Sequence, residues 1–450
     1  VVPDHKKYVD AIKKEMKKTT CKLATLLLLG IFAIQSAYAQ RNNILKVYNW
    51  ADYIDEEVLA EFPEWYKEQT GEEVEIIYEV FDINEIMLTK IERGHDDFDV
   101  VCPSEYIIQR MMRKDMLLPI NRDFGNTPDY INNLSPYIQQ ELNKLNVDER
   151  NLTDYAVGYM WGTAGNLYNK EFVTLEEAAT WESLWNEKYV NKILMKDSYR
   201  DAYGTAIIYA NRDKLASGEV TLDQLMNDNS EEAINTAEEY LKAMKPNIAG
   251  WEADFGKEMM TKGKAWINFT WSGDAVWAIE EAEAVGVELD YVVPMEGSNV
   301  WFDGWVIPKY AQNTKAASYF INYMCRPDIA LRNMDAIGYV STIATPEILV
   351  AKIDPEIEGY YDLSYFFGEG ADSIQIDPVQ YPDRKVIERC AVIRDFTSKE
   401  DLEKALEMWS RVKGDNLNTG TLLIIGVVAV CIIGWIIMKQ LNKRNNNKRK

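Results

Sequence analysis

The sequence contains little of what metal sites and nucleophilic enzymes require. Only two histidines occur among 450 residues, and His5 precedes a segment that we expect to be removed. His95 alone argues against zinc sites and histidine-based catalytic triads. The sequence also lacks Cys-x-x-Cys pairs and the GxxxxGK[ST] phosphate-binding motif. We therefore predict no metal, no cofactor, no catalytic residue and no ATPase activity for this chain.

Cysteine is scarce as well. Of the five cysteines, Cys21 lies in the predicted signal segment and Cys431 in a C-terminal apolar segment. The central part retains Cys102, Cys325 and Cys390, which are widely spaced and odd in number. One disulfide is compatible with this spacing, but a disulfide framework is excluded.

The N-terminal end has the pattern of a cleavable export signal. Residues 16–18 are Met-Lys-Lys and residues 23–34 are apolar. Residues 37–39 are Ala-Tyr-Ala, with small residues at the two positions that a signal peptidase reads. We predict an upstream segment and signal peptide over 1–39, with Gln40 as the first mature residue. The alternative is an N-terminal membrane anchor, for which the apolar run is short.

The C-terminal end has the pattern of a membrane anchor. Residues 420–438 contain no charged residue, and residues 439–450 contain six basic residues and no acid. A spanning helix needs about 20 apolar residues, and excess Lys and Arg mark the cytoplasmic side. We predict a transmembrane helix over 420–438, a basic cytoplasmic tail over 439–450, and an exported domain anchored on the periplasmic or extracellular face. The alternative is a buried core helix.

The exported part is strongly acidic. The net charge is −23 overall, +4 in residues 1–39 and +6 in residues 416–450, which leaves −33 for residues 40–415. Such a field repels nucleic acid and attracts cations, so we expect no nucleic-acid partner. Solubility alone is the other interpretation of this charge.

Alternating strand and helix patterns predict an α/β fold with a parallel sheet. The first five elements are expected at residues 44–53, 55–70, 73–80, 83–93 and 98–102. Ligands bind at the carboxyl ends of such strands, which places Ser104 and Tyr106 near Trp50 and Tyr53. The glycine-containing stretch 155–168 is expected to cross into a second lobe as a hinge.

Tryptophan and aspartate recur together at three predicted strand ends. The pairs are Trp50/Asp52, Trp271/Asp274 and Trp301/Asp303. Asp52 is interpreted as a helix-start residue. In the turn after the strand at 193–195, Asp197 suits a helix N-cap, whereas Asp201 is left open between a solvated position and a functional one.

Flat rings combined with carboxylates are suited to organic cations. Ring faces attract ammonium groups, with about 0.5–2 kcal/mol for each contact, and carboxylates form charge-assisted hydrogen bonds with them. A flexible diamine or triamine fits this combination. Carbohydrate also stacks on tryptophan and binds aspartate, so composition leaves sugar as a rival ligand.

Six motifs, in this order, are similar to those of a known family. VYNWADYI, FDVVCPSEY, YMWGTAGNLYN, WSGDA, WFDGWVIP and IGYVST resemble the periplasmic polyamine-binding proteins, the spermidine/putrescine receptors of ABC transporters. The resemblance extends from residue 44 to about residue 413. It implies a two-lobed periplasmic binding protein of type II that closes by a hinge. Lobe 1 would comprise 40–161 with about 304–350, and lobe 2 would comprise 162–303 with about 351–415.

The resemblance also implies roles for individual residues. Trp50 and Tyr53 would flank the ligand, and Ser104 and Tyr106 would offer hydroxyl groups. The remaining positions are three that would pair with ammonium groups (Asp201, Asp274 and Asp303) and three that would cover the methylene chain (Trp271, Trp301 and Tyr339). Ser198 stands where the spermidine-preferring pattern has an acid, which favours putrescine unless Asp197 compensates.

Three functions are compared. The first is a non-enzymatic receptor that binds putrescine or spermidine outside the cytoplasmic membrane and delivers it to an ABC importer, whose permease and ATPase are separate chains. The second is a carboxylate-based carbohydrate-binding protein or glycoside hydrolase, which does not explain the ordered motifs. The third is a surface sensor, against which the short basic tail argues.

Overall fold

The computed structural model describes residue 41 and residues 43–252, 255–396 and 398–414. The predicted signal segment, the segment over 420–438 and the tail over 439–450 lie outside the described residues. Within the described part of the chain, strands and helices alternate, as expected for an α/β fold.

The two longest strands of the described residues lie in the middle of the strand order, and the others have seven residues or fewer. The strands are β1 (Ile44–Trp50), β2 (Glu75–Phe81), β3 (Val100–Val101), β4 (Leu117–Leu118), β5 (Ala156–Asn169), β6 (Ile193–Lys196), β7 (Ile248–Glu252), β8 (Ile267–Trp271), β9 (Leu289–Val292), β10 (Ser298–Pro308), β11 (Val340–Ser341) and β12 (Cys390–Ala391).

Helices follow most of these strands. They are α1 (Glu56–Thr70), α2 (Asn84–Gly94), α3 (Glu105–Arg113), α4 (Pro136–Lys144), α5 (Leu175–Ala178), α6 (Tyr199–Ala210), α7 (Arg212–Ser217), α8 (Leu222–Met226), α9 (Glu231–Met244), α10 (Gly256–Thr261), α11 (Ser272–Ala284), α12 (Thr314–Met324), α13 (Pro327–Ile337), α14 (Pro346–Lys352), α15 (Ser364–Phe367), α16 (Arg384–Ile387) and α17 (Lys399–Gly414). Short 3-10 helices lie at Tyr130–Asn133, Leu152–Asp154, Trp181–Trp185, Glu187–Tyr189 and Lys245–Asn247.

Two parallel blocks of strands are joined by two long antiparallel strands. The strand order is β2-β1-β3-β10-β5-β8-β6-β7. β1 pairs in parallel with β2 and β3, and β6 pairs in parallel with β7 and β8. We call the block of β1, β2 and β3 with its helices the first lobe, and the block of β6, β7 and β8 with its helices the second lobe. The predicted lobe boundaries remain a prediction.

β5 belongs to both lobes. Its first half pairs with β10 and its second half pairs with β8 and β9. All 14 residues of β5 are buried, so this strand forms the centre of the molecule. Its glycines permit close approach: a Cβ at Gly165 would lie 2.6 Å from the Val292 carbonyl oxygen and 2.8 Å from the Tyr291 ring.

The first helix begins and ends where the sequence predicts. Asp55 caps α1 by accepting a hydrogen bond from the Glu57 amide at 2.9 Å, and Gly71 ends it with a φ of 74°. Glycine favours this left-handed conformation because it has no Cβ.

Two helix-start assignments are wrong. Asp52 is exposed in a left-handed turn with a φ of 51°, before the true cap at Asp55. Helix α6 is capped by Ser198, whose hydroxyl accepts from the Asp201 amide at 3.4 Å. The carboxylate of Asp197 instead pairs with Lys413 on α17.

The transmembrane helix in the predicted fold class is corrected. Among the described residues, none of the helices is long and apolar enough to cross a membrane. The last of them, α17, has 16 residues, which at 1.5 Å per residue span about 24 Å, less than a hydrocarbon core of about 30 Å. It is amphipathic: Ala405, Met408 and Val412 are buried, while Arg411 pairs with Glu238 of α9. The fold class is therefore reduced to its two-lobed α/β part.

Candidate functional site

The predicted site residues follow the carboxyl ends of strands in both lobes. Tyr53 comes after β1, Ser104 comes after β3, Asp201 lies in the first turn of the helix after β6, and Asp274 lies in the first turn of the helix after β8. Asp303 lies on β10, which runs between the two blocks. The carboxyl ends of the parallel strands therefore bring these side chains together between the lobes, and we call this buried region the cleft.

Asp303 is held by two hydroxyl groups. The Tyr53 hydroxyl donates to Oδ2 at 2.9 Å and the Ser104 hydroxyl donates to Oδ1 at 2.7 Å. Burial raises the pKa of Asp303 to about 6, although both hydrogen bonds oppose the change. A buried carboxylate whose partners are neutral is a favourable place for a cation.

Tyr106 joins this network through an asparagine. The Asn84 amide donates to the Ser104 hydroxyl at 3.0 Å and to the Tyr106 hydroxyl at 3.3 Å. The Tyr106 hydroxyl in turn donates to Glu85 Oε1 at 3.2 Å. The two residues predicted after β3 are therefore positioned by α2, the neighbouring helix of the first lobe.

Two further acids are buried beside Asp303. Burial raises the pKa of Glu105 well above its usual value, and Asp303 and Asp201 add to the shift. Burial also raises the pKa of Asp201, against hydrogen bonds from Ser198, Asn299 and Trp271 and the charge of Arg200. The Asn299 amide lies 3.2 Å from Asp201 Oδ1. Burial is therefore the largest influence on all three acids, and the groups that hydrogen-bond to them are neutral.

Aromatic rings connect the two lobes. The Tyr339 ring lies 5.2 Å from the Tyr53 ring and 5.6 Å from the Trp301 ring, and Trp301 lies 6.4 Å from Trp271. The Tyr339 hydroxyl donates to Asp274 Oδ1 at 2.9 Å. Tyr339 precedes β11, which pairs with the first half of β5, so this hydrogen bond joins the lobes across the cleft.

Asp274 already has cationic partners. Lys196 Nζ lies 2.7 Å from its Oδ2 and Lys257 Nζ lies 3.5 Å from its Oδ1. Burial alone would raise the pKa of Asp274, but the two lysines outweigh it and lower the pKa. Asp274 thus differs from Asp201 and Asp303, although the sequence places all three in one class.

Trp50 is the exception among the ten predicted residues. Its ring packs against Phe81 at 4.6 Å, in the first lobe. Its indole N–H is buried without a hydrogen-bond partner among the described residues. The other nine residues are connected to one another by the hydrogen bonds and ring contacts described above.

Sequence reasoning missed four contributors to this site, and two of them had a visible signal. Glu105 is part of the matched motif FDVVCPSEY, and Lys196 ends the apolar run of β6, where a charged side chain is unusual. Glu252 and Asn299 had no such signal, because only strand pairing brings them to the cleft. Within the described part of the chain, no group of three or more His, Cys, Asp or Glu side chains is arranged to hold a metal ion.

Comparison with known proteins adds an independent finding. The sequence model of the family described as bacterial extracellular solute-binding protein matches residues 64–354. The chain is 30% identical over 336 residues to a spermidine/putrescine-binding periplasmic protein of Salmonella typhimurium, covering 74% of this chain and 86% of that protein. It is 26% identical over 335 residues to the putrescine-binding periplasmic protein PotF of Escherichia coli, covering 72% and 84%.

A solved structure agrees with these sequence matches. The structure of a putative spermidine/putrescine ABC transporter protein from Listeria monocytogenes superimposes with a TM-score of 0.64 and 29% identity, covering 82% of this chain and 99% of that chain. The likeness therefore extends over both lobes.

Proposed function

Because this chain belongs to the family of bacterial extracellular solute-binding proteins, we propose that it binds a polyamine outside the cytoplasmic membrane and delivers it to an ABC importer. Family membership confirms the resemblance that the ordered motifs indicated. The family consists of receptors for solutes, so we propose binding and no reaction. The permease and the ATPase of the importer would be separate chains.

The observation that carries the proposal is the pair of buried aspartates whose hydrogen-bonding partners are neutral. Asp303 contacts the hydroxyls of Tyr53 and Ser104, and Asp201 contacts Ser198 and Asn299. Removing a carboxylate from water is unfavourable unless a positive charge compensates it. An alkylammonium group supplies that charge together with N–H donors, whereas a neutral sugar does not. The carbohydrate alternative is therefore not favoured.

In this proposal six of the ten predicted residues have distinct contributions. Asp303 and Asp201 accept hydrogen bonds from ammonium groups, and the Trp301 and Tyr339 rings cover the methylenes between them, at about 0.8 kcal/mol for each buried CH₂ group. Ser104 and Tyr53 orient the Asp303 carboxylate. The remaining predicted contacts are Trp50, Tyr106, Trp271 and Asp274.

Titration with a small set of ligands tests the proposal. The full chain is followed by thermal shift and calorimetry with putrescine, cadaverine, spermidine, spermine and a sugar panel. A polyamine at 100 times its dissociation constant should stabilise the protein by about 2.7 kcal/mol. Stabilisation by a sugar and by none of the amines would contradict the proposal.

Polyamine affinity should decrease at acidic pH. A bound ammonium group favours the ionised form of Asp303, whose pKa in the unliganded protein is raised by burial to about 6. Below that pH binding must release the proton, so the dissociation constant should rise by up to about tenfold for each pH unit. The amines stay protonated throughout because their pKa is about 10.

Calorimetry in two buffers of different ionisation enthalpy measures that proton directly. Binding near pH 5 should release up to about one proton, and binding near pH 8 should release less. The Asp197→Asn variant is the matched control, because Asp197 pairs with Lys413 outside the cleft. It should release the same number of protons on binding as the unaltered protein. Proton uptake on binding at acidic pH would contradict the assignment of Asp303.

A further inference from the structure

The Lys196 side chain is completely enclosed in the cleft. Its Nζ lies 2.7 Å from Asp274 Oδ2, 3.0 Å from Glu252 Oε1 and 4.5 Å from the centroid of the Trp271 ring, and 1% of the side chain is exposed. Two carboxylates and one aromatic face are the groups by which a protein binds an alkylammonium ion. Lys196 therefore occupies a complete ammonium subsite with the chain's own ammonium group.

Strand pairing keeps this lysine in place. Lys196 ends β6 directly opposite Glu252 on the parallel strand β7, so the two opposite charges face each other across neighbouring strands. Glu252 is itself held by the Gly256 amide, which donates to Oε2 at 3.1 Å. Burial would lower the pKa of Lys196, but Asp274 and Glu252 outweigh it and raise the pKa. Lys196 therefore remains charged, and moving it away would leave two buried carboxylates without this partner.

The other acids in the cleft are not the ones that form salt bridges with Lys196. Asp201 and Asp303 have the neutral hydrogen-bonding partners described above, and burial outweighs the charge of Arg200 near Asp201. Glu105 is 1% exposed, and its Oε2 lies 3.4 Å from the Phe302 amide nitrogen, so it is the most enclosed of the three. Of the three predicted aspartates, Asp201 and Asp303 are thus left for the ammonium groups of a ligand.

From this geometry we infer that Lys196 determines specificity by filling the Asp274 subsite, so that the receptor selects short diamines over triamines and tetramines. The inference rests on the proposed polyamine-binding function. A diamine satisfies Asp201 and Asp303, whereas the third ammonium group of a longer amine meets a subsite that already carries a positive charge. This inference is independent of the argument from Ser198, since it depends on a different side chain.

Calorimetry of the full chain with putrescine and spermidine tests the inference. The unaltered protein should bind putrescine at least tenfold more tightly than spermidine. In Lys196→Met the ratio of the two affinities should shift towards spermidine by at least tenfold, since the vacated subsite accepts a ligand ammonium. Lys192→Met is the matched control: Lys192 lies 4.9 Å over the Trp266 ring, outside the cleft, and its removal should leave the ratio unchanged.

A second variant tests the inference in case the first variant does not fold. Lys196→Met combined with Glu252→Gln removes one charge of each sign and leaves Asp274 for the ligand. This double variant should show the same shift in the ratio of the two affinities. Equal or tighter binding of spermidine by the unaltered protein, or an unchanged ratio in a folded Lys196 variant, overturns the inference alone. Absence of binding to any polyamine overturns the proposed function and the inference with it.

Discussion

Replacing Asp303 with asparagine is expected to cause the largest loss of polyamine affinity. Asparagine retains hydrogen-bonding atoms for Tyr53 and Ser104 but removes the negative charge that faces the ligand. Loss of one partner of a buried charge pair costs about 2–5 kcal/mol of binding free energy, which corresponds to about 30-fold to several thousand-fold in affinity. Calorimetric titration with putrescine measures this difference.

The same substitution should not destabilise the unliganded protein. Asp303 is buried with neutral partners, and burial raises its pKa to about 6, so its charge opposes folding at neutral pH. The Asp303→Asn variant should therefore unfold at the same temperature as the unaltered protein or at a higher one. Asp197→Asn is the control and should keep its affinity. An Asp303→Asn protein that binds putrescine within threefold of the original would disprove this role for Asp303.

Replacing Arg110 with methionine should cause a large loss of stability. Arg110 Nη2 lies 2.6 Å from Asp395 Oδ1, and both side chains are buried. Arg110 Nη2 also donates to the Tyr199 hydroxyl at 3.2 Å. Breaking a buried ion pair by removing one partner costs about 3–5 kcal/mol. We expect a loss of about 3 kcal/mol, because Arg113 still pairs with Asp395 at 2.6 Å.

Arg110 matters because it also connects the lobes. It lies on α3 of the first lobe, whereas Tyr199, to whose hydroxyl it donates, begins α6 of the second lobe. Urea unfolding gives the change in free energy, with Arg122→Met as the matched control. Arg122 pairs with Asp129 at the surface, where such pairs contribute about 0–1 kcal/mol. Equal losses in the two variants would contradict the structural role of Arg110.

Local sequence patterns were sufficient to predict several secondary-structure elements and the protein family. Helix α1 with its cap and its terminal glycine, the strand at β3, and the crossing of β5 between the lobes all follow from patterns of neighbouring residues. The ordered motifs indicated the family that the comparisons confirm. The transmembrane helix of the predicted fold class is corrected, because none of the helices among the described residues is long and apolar enough to cross a membrane.

Caps were less predictable than helices. Asp55 was expected at the start of α1 and forms its N-cap. Asp197 was expected to cap α6, but the N-cap of that helix is Ser198, one residue later. Both residue types are good N-caps, so one position in the backbone decides between them. The pairing of Asp197 with Lys413, which is distant in the sequence, could not be inferred from local pattern.

The sequence by itself determined the fold type, the family and the kinds of side chain that meet in the cleft, because those depend on composition and on neighbouring residues. Only the tertiary structure decided how the charges are matched. Tyr53 meets Asp303 across 250 residues of chain, and Lys196 meets Asp274 across 78. Such contacts are set by strand register and burial, which no local pattern specifies. For that reason three aspartates that are alike in sequence fall into two groups: Asp274 forms a salt bridge with Lys196, whereas Asp201 and Asp303 are hydrogen-bonded to neutral groups.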